Sequence, residues 1–251
     1  MIAFQAPKTR KTNHKKTFHK KIRKIRPHPC SYRTTTPLTR DTIARMSSIT
    51  PTTIVFDFGG VLLDWNPRYL YRKLFPGDEP GMERYLVETG FFEWNHRQDA
   101  RLPFSAGVAE QCARYPHYCH LVRAYAERFP ETVSGPIQGT VEILRRLHLA
   151  GWPLFGLSNW AADTFYQVRP NFAFLDWFQS IVLSGEVGIA KPDPRIFQVL
   201  LQRVNRPASE CLFIDDAPAN IAVAQSLGLQ TVHFQDPAQL EVELAQYGLL
   251  G

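Results

Sequence analysis

From residue 136 to residue 235 the chain repeats one unit: a short apolar run ending on a polar residue, then an amphipathic stretch. The runs PLFGLS (153–158), SIVLS (180–184), CLFI (211–214) and QTVHF (230–234) are interspersed with predicted helices over 139–150, 194–204 and 218–227. Two of those helices stop at Gly151 and Gly228, the residue type that best tolerates the left-handed turn after a helix. An earlier run, Ile54-Val55-Phe56, has the same character. Strands this short and this uniformly apolar need cover on both faces, and helical crossovers join them in parallel. The predicted fold is α/β, a Rossmann-like parallel sheet with helices on both faces.

Residues 66–134 break the pattern. RYLYRKLF, GMERYLVETGFFEW, FSAGVAEQCARY and HLVRAYAERF are rich in aromatics and charges and space their apolar residues by three and four, with no strand signal between them. This segment is predicted to be a small all-α cap, inserted between the two parts of the core at 48–65 and 135–251.

The chain has 251 residues, 44% of them apolar, enough for a full core. No stretch approaches the roughly 18 uninterrupted apolar residues of a membrane span, and MIAFQA is too short for a secretory signal. The net charge of +6 comes from one end, because residues 1–40 hold 12 Lys and Arg and no acid, leaving 17 basic against 23 acidic residues in 41–251. Residues 1–47 thus form a basic tail, expected to be disordered in isolation. It fits a nucleic-acid or anionic-surface arm, an organelle transit peptide, or sequence upstream of a true start at Met46. No RNA-binding signature accompanies it, so nucleic acid is not the expected partner. Among Cys30, Cys112, Cys119 and Cys211 there is no CxxC pair, and Cys112, His117, Cys119 and His120 match no standard zinc spacing. Reduced thiols and a cytoplasmic monomer or homodimer are the expectation.

In open parallel sheets, ligands sit beyond the carboxyl ends of the strands. There the sequence places Asp57, Ser158-Asn159 and Asp215-Asp216, while Lys191 precedes a helix start marked by Asp193 and Pro194. In this order DFGGV, LSN, KPD and IDDAPAN resemble the four motifs of the haloacid dehalogenase superfamily of phosphatases and related hydrolases, over about residues 54–235. The chain is most similar to the branch with a helical cap after the first motif, which includes bacterial phosphatases for sugar 1-phosphates.

The resemblance implies Asp57 as nucleophile and Ser158 and Lys191 as phosphate ligands, with Asn159, Gly60 and Trp65 at the substrate. It also implies Mg2+ held by Asp57, the carbonyl of Gly59 and Asp215 or Asp216, with Asp215 favoured. The chemistry is self-consistent. A carboxylate is ionised at neutral pH and attacks phosphorus without a general base, provided that a metal and a lysine offset the charge of its target. Two blander roles stand beside these: Asp216 as the cap of the helix near Pro218, and Asn220 as a surface residue.

Position 59 departs from the family, which usually carries there an acid that protonates the leaving oxygen. Such catalysis contributes about 10²–10⁴-fold. Either the leaving group is good, as in an anomeric, enol or acyl phosphate, or the cap lends a proton donor, with Asp64, His96 and Asp99 as candidates. The expected function is a Mg2+-dependent phosphatase for a small phosphate ester, working through an aspartyl-phosphate. A 2-haloacid dehalogenase using the same aspartate and a non-catalytic phosphate-binding module are the alternatives. Trp65, Trp94 and Trp160 are equally expected as core or as substrate lining.

Overall fold

The computed structural model describes residues 50–100 and 103–250; the basic tail and Met46 lie outside them. Strand β1 (Thr53–Phe56) leads into a short antiparallel pair, β2 (Leu63–Trp65) and β3 (Val133–Pro136). Between these two strands run five helices: α1 (Arg68–Leu74), α2 (Glu79–Glu88), α3 (Phe91–Gln98), α4 (Phe104–Arg114) and α5 (Cys119–Glu127). After β3 the chain alternates through α6 (Gln138–Leu149), β4 (Leu154–Ser158), α7 (Ala162–Val168), β5 (Ser180–Leu183), α8 (Ser184–Val187) and α9 (Pro194–Val204). It closes with β6 (Cys211–Asp215), α10 (Pro218–Ser226), β7 (Gln230–His233) and α11 (Pro237–Gln246).

The main sheet is wholly parallel, in the order β5-β4-β1-β6-β7. Its strands bury both faces because alternate residues serve opposite layers. Ile54, Phe56, Leu212 and Ile214 pack with Leu144 and Leu147 of α6 and with Leu240 and Leu244 of α11. Val55, Leu157 and Phe213 pack instead with Ile196, Phe197 and Leu200 of α9 and with Ile221 and Ala224 of α10. The chain moves outward from β1 through β4 to β5, then crosses back to β6. That reversal beside β1 opens a crevice at the carboxyl ends of β1, β4 and β6.

The insert holds itself together with rings. Tyr71, Tyr85, Phe91, Trp94 and Tyr125 are each at most 2% exposed. Tyr71 meets Tyr85 and Phe91 at centroid distances of 4.9 and 5.5 Å, and Tyr125 lies 4.9 Å from Phe91 and 5.2 Å from Phe129. Buried hydroxyls find partners: Tyr71 and Tyr85 share a 2.9 Å hydrogen bond, and Tyr125 donates to Asn95 Oδ1 at 2.6 Å.

Two departures from expectation have local causes. The β2–β3 pair gives no strand signal because it is three and four residues long and includes Gly135 and Pro136. The thiols expected to be reduced include a disulfide, Cys112–Cys119, because the turn at Pro116–Tyr118 folds α5 back on α4 and brings their Cα atoms to 4.4 Å. Cys211 is a buried free thiol. No helix among the described residues is long and apolar enough to cross a membrane.

Candidate active site

The sheet sets the site by ending β1 at Asp57. The Asp57 amide still donates to Ile214 O of β6 at 2.9 Å, so this residue is held like a strand residue, and its Oδ1 accepts from the Phe58 amide at 2.7 Å. Phe58 anchors the following turn. Its carbonyl accepts from Leu62 and Leu63 at 2.8 Å each, and its ring packs 6.1 Å from Phe165 and 5.3 Å from Phe178. Gly156 makes room for that ring, since a Cβ there would lie 2.5 Å from Phe58 Cζ. Gly60 has φ +76°, and a Cβ on it would sit 2.5 Å from Asp216 Oδ2. Gly59 differs: its φ is not positive and a Cβ would meet nothing within 4 Å.

Lys191 is 1% exposed, and its ammonium bridges two carboxylates, lying 2.9 Å from Asp57 Oδ1 and 2.7 Å from Asp215 Oδ2, with a third bond to Leu157 O at 2.9 Å. Burial alone would lower its pKa, but the charges of Asp57 and Asp215 hold it above the ordinary lysine value. Asp215 is fully buried and committed. Its Oδ1 accepts from the Ala217 amide at 2.8 Å and from Asn220 Nδ2 at 2.9 Å, while Asn220 also reaches Oδ2 at 3.1 Å. Asp216 is exposed, and it meets the His233 ring through its backbone carbonyl rather than its carboxylate.

The carboxylates of Asp57, Asp215 and Asp216 each offer an oxygen within 4.8 Å of the others. Burial pushes the Asp57 carboxyl up to about 7, opposed by Lys191 and reinforced by Asp215, and burial with the charge of Asp215 also raises Asp216. Three carboxylates against one ammonium carry a double negative charge when all are ionised, and hard oxygens in this arrangement fit a divalent cation of the magnesium type.

Above the rim lies a pocket of about 100 Å3, lined at its floor by Gly59, Ser158 and Asn159 and above by Trp65, Asn95, Asp99, Phe104, Phe129, Trp160 and Thr164. Asp99 enters it from the end of α3. Its carbonyl accepts from Ser184 Oγ, which in turn accepts from the Trp160 amide at 2.8 Å, so one buried serine ties the insert to the core. Burial, and then the charge of Asp57, raises the Asp99 carboxyl well above the usual carboxylate range.

Comparison with known proteins matches residues 51–228 to the haloacid dehalogenase-like hydrolases. The chain belongs to this family. It is 31% identical over 198 residues to a sesquiterpene phosphatase of Aspergillus oryzae, covering 76% of this chain and 94% of that one. An (S)-2-haloacid dehalogenase of Pseudomonas putida is 29% identical over 184 residues, with 70% and 80% covered. The fold matches that of a haloacid dehalogenase family enzyme of Bacteroides thetaiotaomicron solved with magnesium and inorganic phosphate, at TM-score 0.54 and 23% identity, covering 74% and 95%.

Within this member of the family, Asp57, Ser158, Lys191, Asp215, Asp216 and Gly60 lie at or just after the carboxyl ends of the sheet, with Lys191 against Asp57 and Asp215 and Gly60 against Asp216. Asn159 lines the pocket floor and also holds the Lys191 backbone. Its Nδ2 donates to Lys191 O at 2.9 Å and its Oδ1 accepts from Lys191 N at 2.7 Å, so the side chain is a strut that places the lysine. The bland readings at the fourth motif also change: Asp215, rather than Asp216, takes the amide at the start of α10, and Asn220 is 7% exposed and bound to Asp215. The tryptophans divide. Trp94 is core, its Nε1 donating to Gly107 O at 3.2 Å, whereas Trp65 and Trp160 line the pocket. Of the three acids and bases considered in the cap, Asp64 is bound by Tyr69 and Ser134 at 2.7 and 2.6 Å, the His96 side chain is 61% exposed, and Asp99 alone lines the pocket. Ser184, Phe104 and Phe129 gave no sequence signal, because nothing in a single strand end or helix marks which distant segment it meets.

Proposed function

We propose that this protein is a magnesium-dependent phosphatase that hydrolyses a small-molecule phosphate monoester through phosphorylated Asp57. The observation that carries the reading is the cluster of Asp57, Asp215 and Asp216 beside one buried lysine, at strand ends whose neighbours Gly59 and Ser158 line the pocket. Displacing a halide from carbon gives no reason to gather three carboxylates, whereas a phosphoryl site uses a divalent cation to hold and neutralise its target. The phosphatase similarity over most of the chain supports the same reading.

In this reading Asp57 and Asp216, with the carbonyl of Gly59, hold Mg2+, and Asp215 serves instead to orient Lys191. This reverses the preference drawn from the sequence, because Asp215 already accepts four hydrogen bonds, whereas Asp216 is exposed and engages His233 through its backbone alone. When bound, the cation supplies positive charge that favours ionised Asp57 and offsets that of the phosphoryl group. An Asp57 oxygen forms a bond to phosphorus as the ester oxygen departs, while Lys191 and the Ser158 hydroxyl hold the phosphoryl oxygens. Asp99, whose burial favours its protonated form, gives its proton to the departing oxygen. Water then attacks phosphorus, Asp99 takes up a proton, and inorganic phosphate leaves Asp57 free.

The test is released phosphate over a panel of esters, with magnesium or with chelator, alongside halide release from 2-haloacids. Wild type is expected to release phosphate only with the metal, and Asp57→Asn to lose more than about 100-fold in turnover, since the amide is a poor nucleophile. Cation-independent halide release without phosphatase activity would overturn the proposal.

A further inference from the structure

The pocket above the rim is built for something other than a polyol. Four aromatic rings from four separate segments, Trp65 of β2, Phe104 of α4, Phe129 of the turn after α5 and Trp160 after β4, form most of its wall. Behind this wall stand more rings, with Phe104 5.9 Å from Trp94 and Phe129 5.2 Å from Tyr125, so the surface is fixed before any ligand arrives. The polar atoms around it are largely spent. Asn95 Oδ1 accepts from Tyr125, and Thr164 Oγ1 donates to Ala161 O and accepts from Trp160 Nε1 at 3.1 Å, whereas Trp65 Nε1 is buried without a hydrogen-bond partner. Both amide atoms of Asn159 hold Lys191. Among the described lining residues above the floor, this leaves the Asn95 amide N–H groups, the single buried indole N–H of Trp65 and the Asp99 carboxyl, and the last faces the ester oxygen in the mechanism above.

We infer that the substrate is the monophosphate of an apolar alcohol, its hydrocarbon group seated against Trp65, Phe104, Phe129 and Trp160 while the phosphate lies on the rim. The inference rests on the phosphatase reading. A sugar phosphate entering here would lose water from several hydroxyls and regain few partners, whereas a hydrocarbon chain exchanges water for ring faces. A simple alkyl alcohol is also a poor leaving group, and the pocket contains the acid that such a leaving group needs.

Phosphate release with magnesium is measured for butyl, hexyl and octyl phosphate, for glucose 1-phosphate and glycerol 3-phosphate, and for acetyl phosphate, which is too small to reach the wall. kcat/KM is expected to rise toward about fourfold per added methylene, and octyl phosphate to exceed both polyol phosphates by 100-fold or more. In Phe129→Ala the ratio of octyl to acetyl phosphate efficiency should fall about tenfold or more, chiefly through KM. Should that variant not fold, the wild-type series decides alone. A flat chain-length series or a preference for the polyol phosphates would overturn the inference and leave the phosphatase reading standing. Release from none of the compounds, acetyl phosphate included, would remove both.

Discussion

The rim of the sheet and the helical insert bury side chains to opposite ends. At the rim, burial is applied to charge: Lys191 at 1%, Asp57 at 8% and Asp215 at 0% exposure are packed where ionisation is costly. In the insert, burial is applied to rings, and the buried hydroxyls are paired. The rim is therefore expected to be strained toward chemistry and poor in stability, and the interior of the insert, behind Asp99 and the pocket wall, rich in stability and silent in chemistry. Activity and stability should separate when each is cut.

The largest effect expected is at Lys191. Lys191→Met leaves Asp57 and Asp215 buried without their shared ammonium, and should both abolish turnover and cost about 3–5 kcal/mol of stability, read from denaturant unfolding. Asp57→Asn supplies the contrast. Because burial holds the native carboxyl up to about 7, the folded state binds a proton that the unfolded state has released, so in metal-free protein stability falls as pH rises from the ordinary carboxylate range through about 7. The amide of Asp57→Asn carries no such penalty, and this inactive variant should be at least as stable as wild type at pH 8 in chelator. An Asp57→Asn protein much less stable than wild type under those conditions would break the picture of a strained rim.

Next comes Asp99, the proposed proton donor at the junction of the two regions. Asp99→Asn should slow alkyl phosphates by about 10²-fold or more while sparing acyl phosphates, whose leaving group needs no proton. Adding Gly59→Asp should recover part of the loss, since position 59 has no positive φ and open space for a side chain. A leaving-group series in the three proteins reads both effects, and equal losses for good and poor leaving groups would remove Asp99 from this role. A smaller loss, about tenfold in kcat/KM, is expected for Gly60→Ala. The new Cβ meets Asp216 Oδ2 and the backbone keeps φ +76°, so the apparent magnesium affinity should weaken in parallel.

The smallest effect is expected deep in the insert. Tyr71→Phe removes the 2.9 Å bond to the Tyr85 hydroxyl and should cost about 1–2 kcal/mol of unfolding free energy, with turnover within twofold of wild type. A large loss of activity there would mean that the insert's core and the pocket wall move as one unit.

Much of this was legible in the sequence, for a definite reason. The parallel sheet follows from apolar runs at residues 54–56, 154–157 and 211–214, and the rim residues follow from being the first polar groups after those runs, a relation confined to a few neighbouring positions. The insert was legible as helices because three- and four-residue spacing is also local. What its helices face was not.

The sequence by itself determined the fold class, the order of the strands' polar ends and the absence of an acid at position 59. Tertiary structure alone decided how those groups are used: that Asp215 is spent on Lys191 and Asn220, that Asn159 braces Lys191 across 32 residues, that Ser184 holds Asp99 across 85, and that Cys112 meets Cys119. Strand ends and helix faces are set by interactions within a few residues. A hydrogen bond between distant segments is set by where packing of the whole core brings them, and no local pattern encodes that meeting.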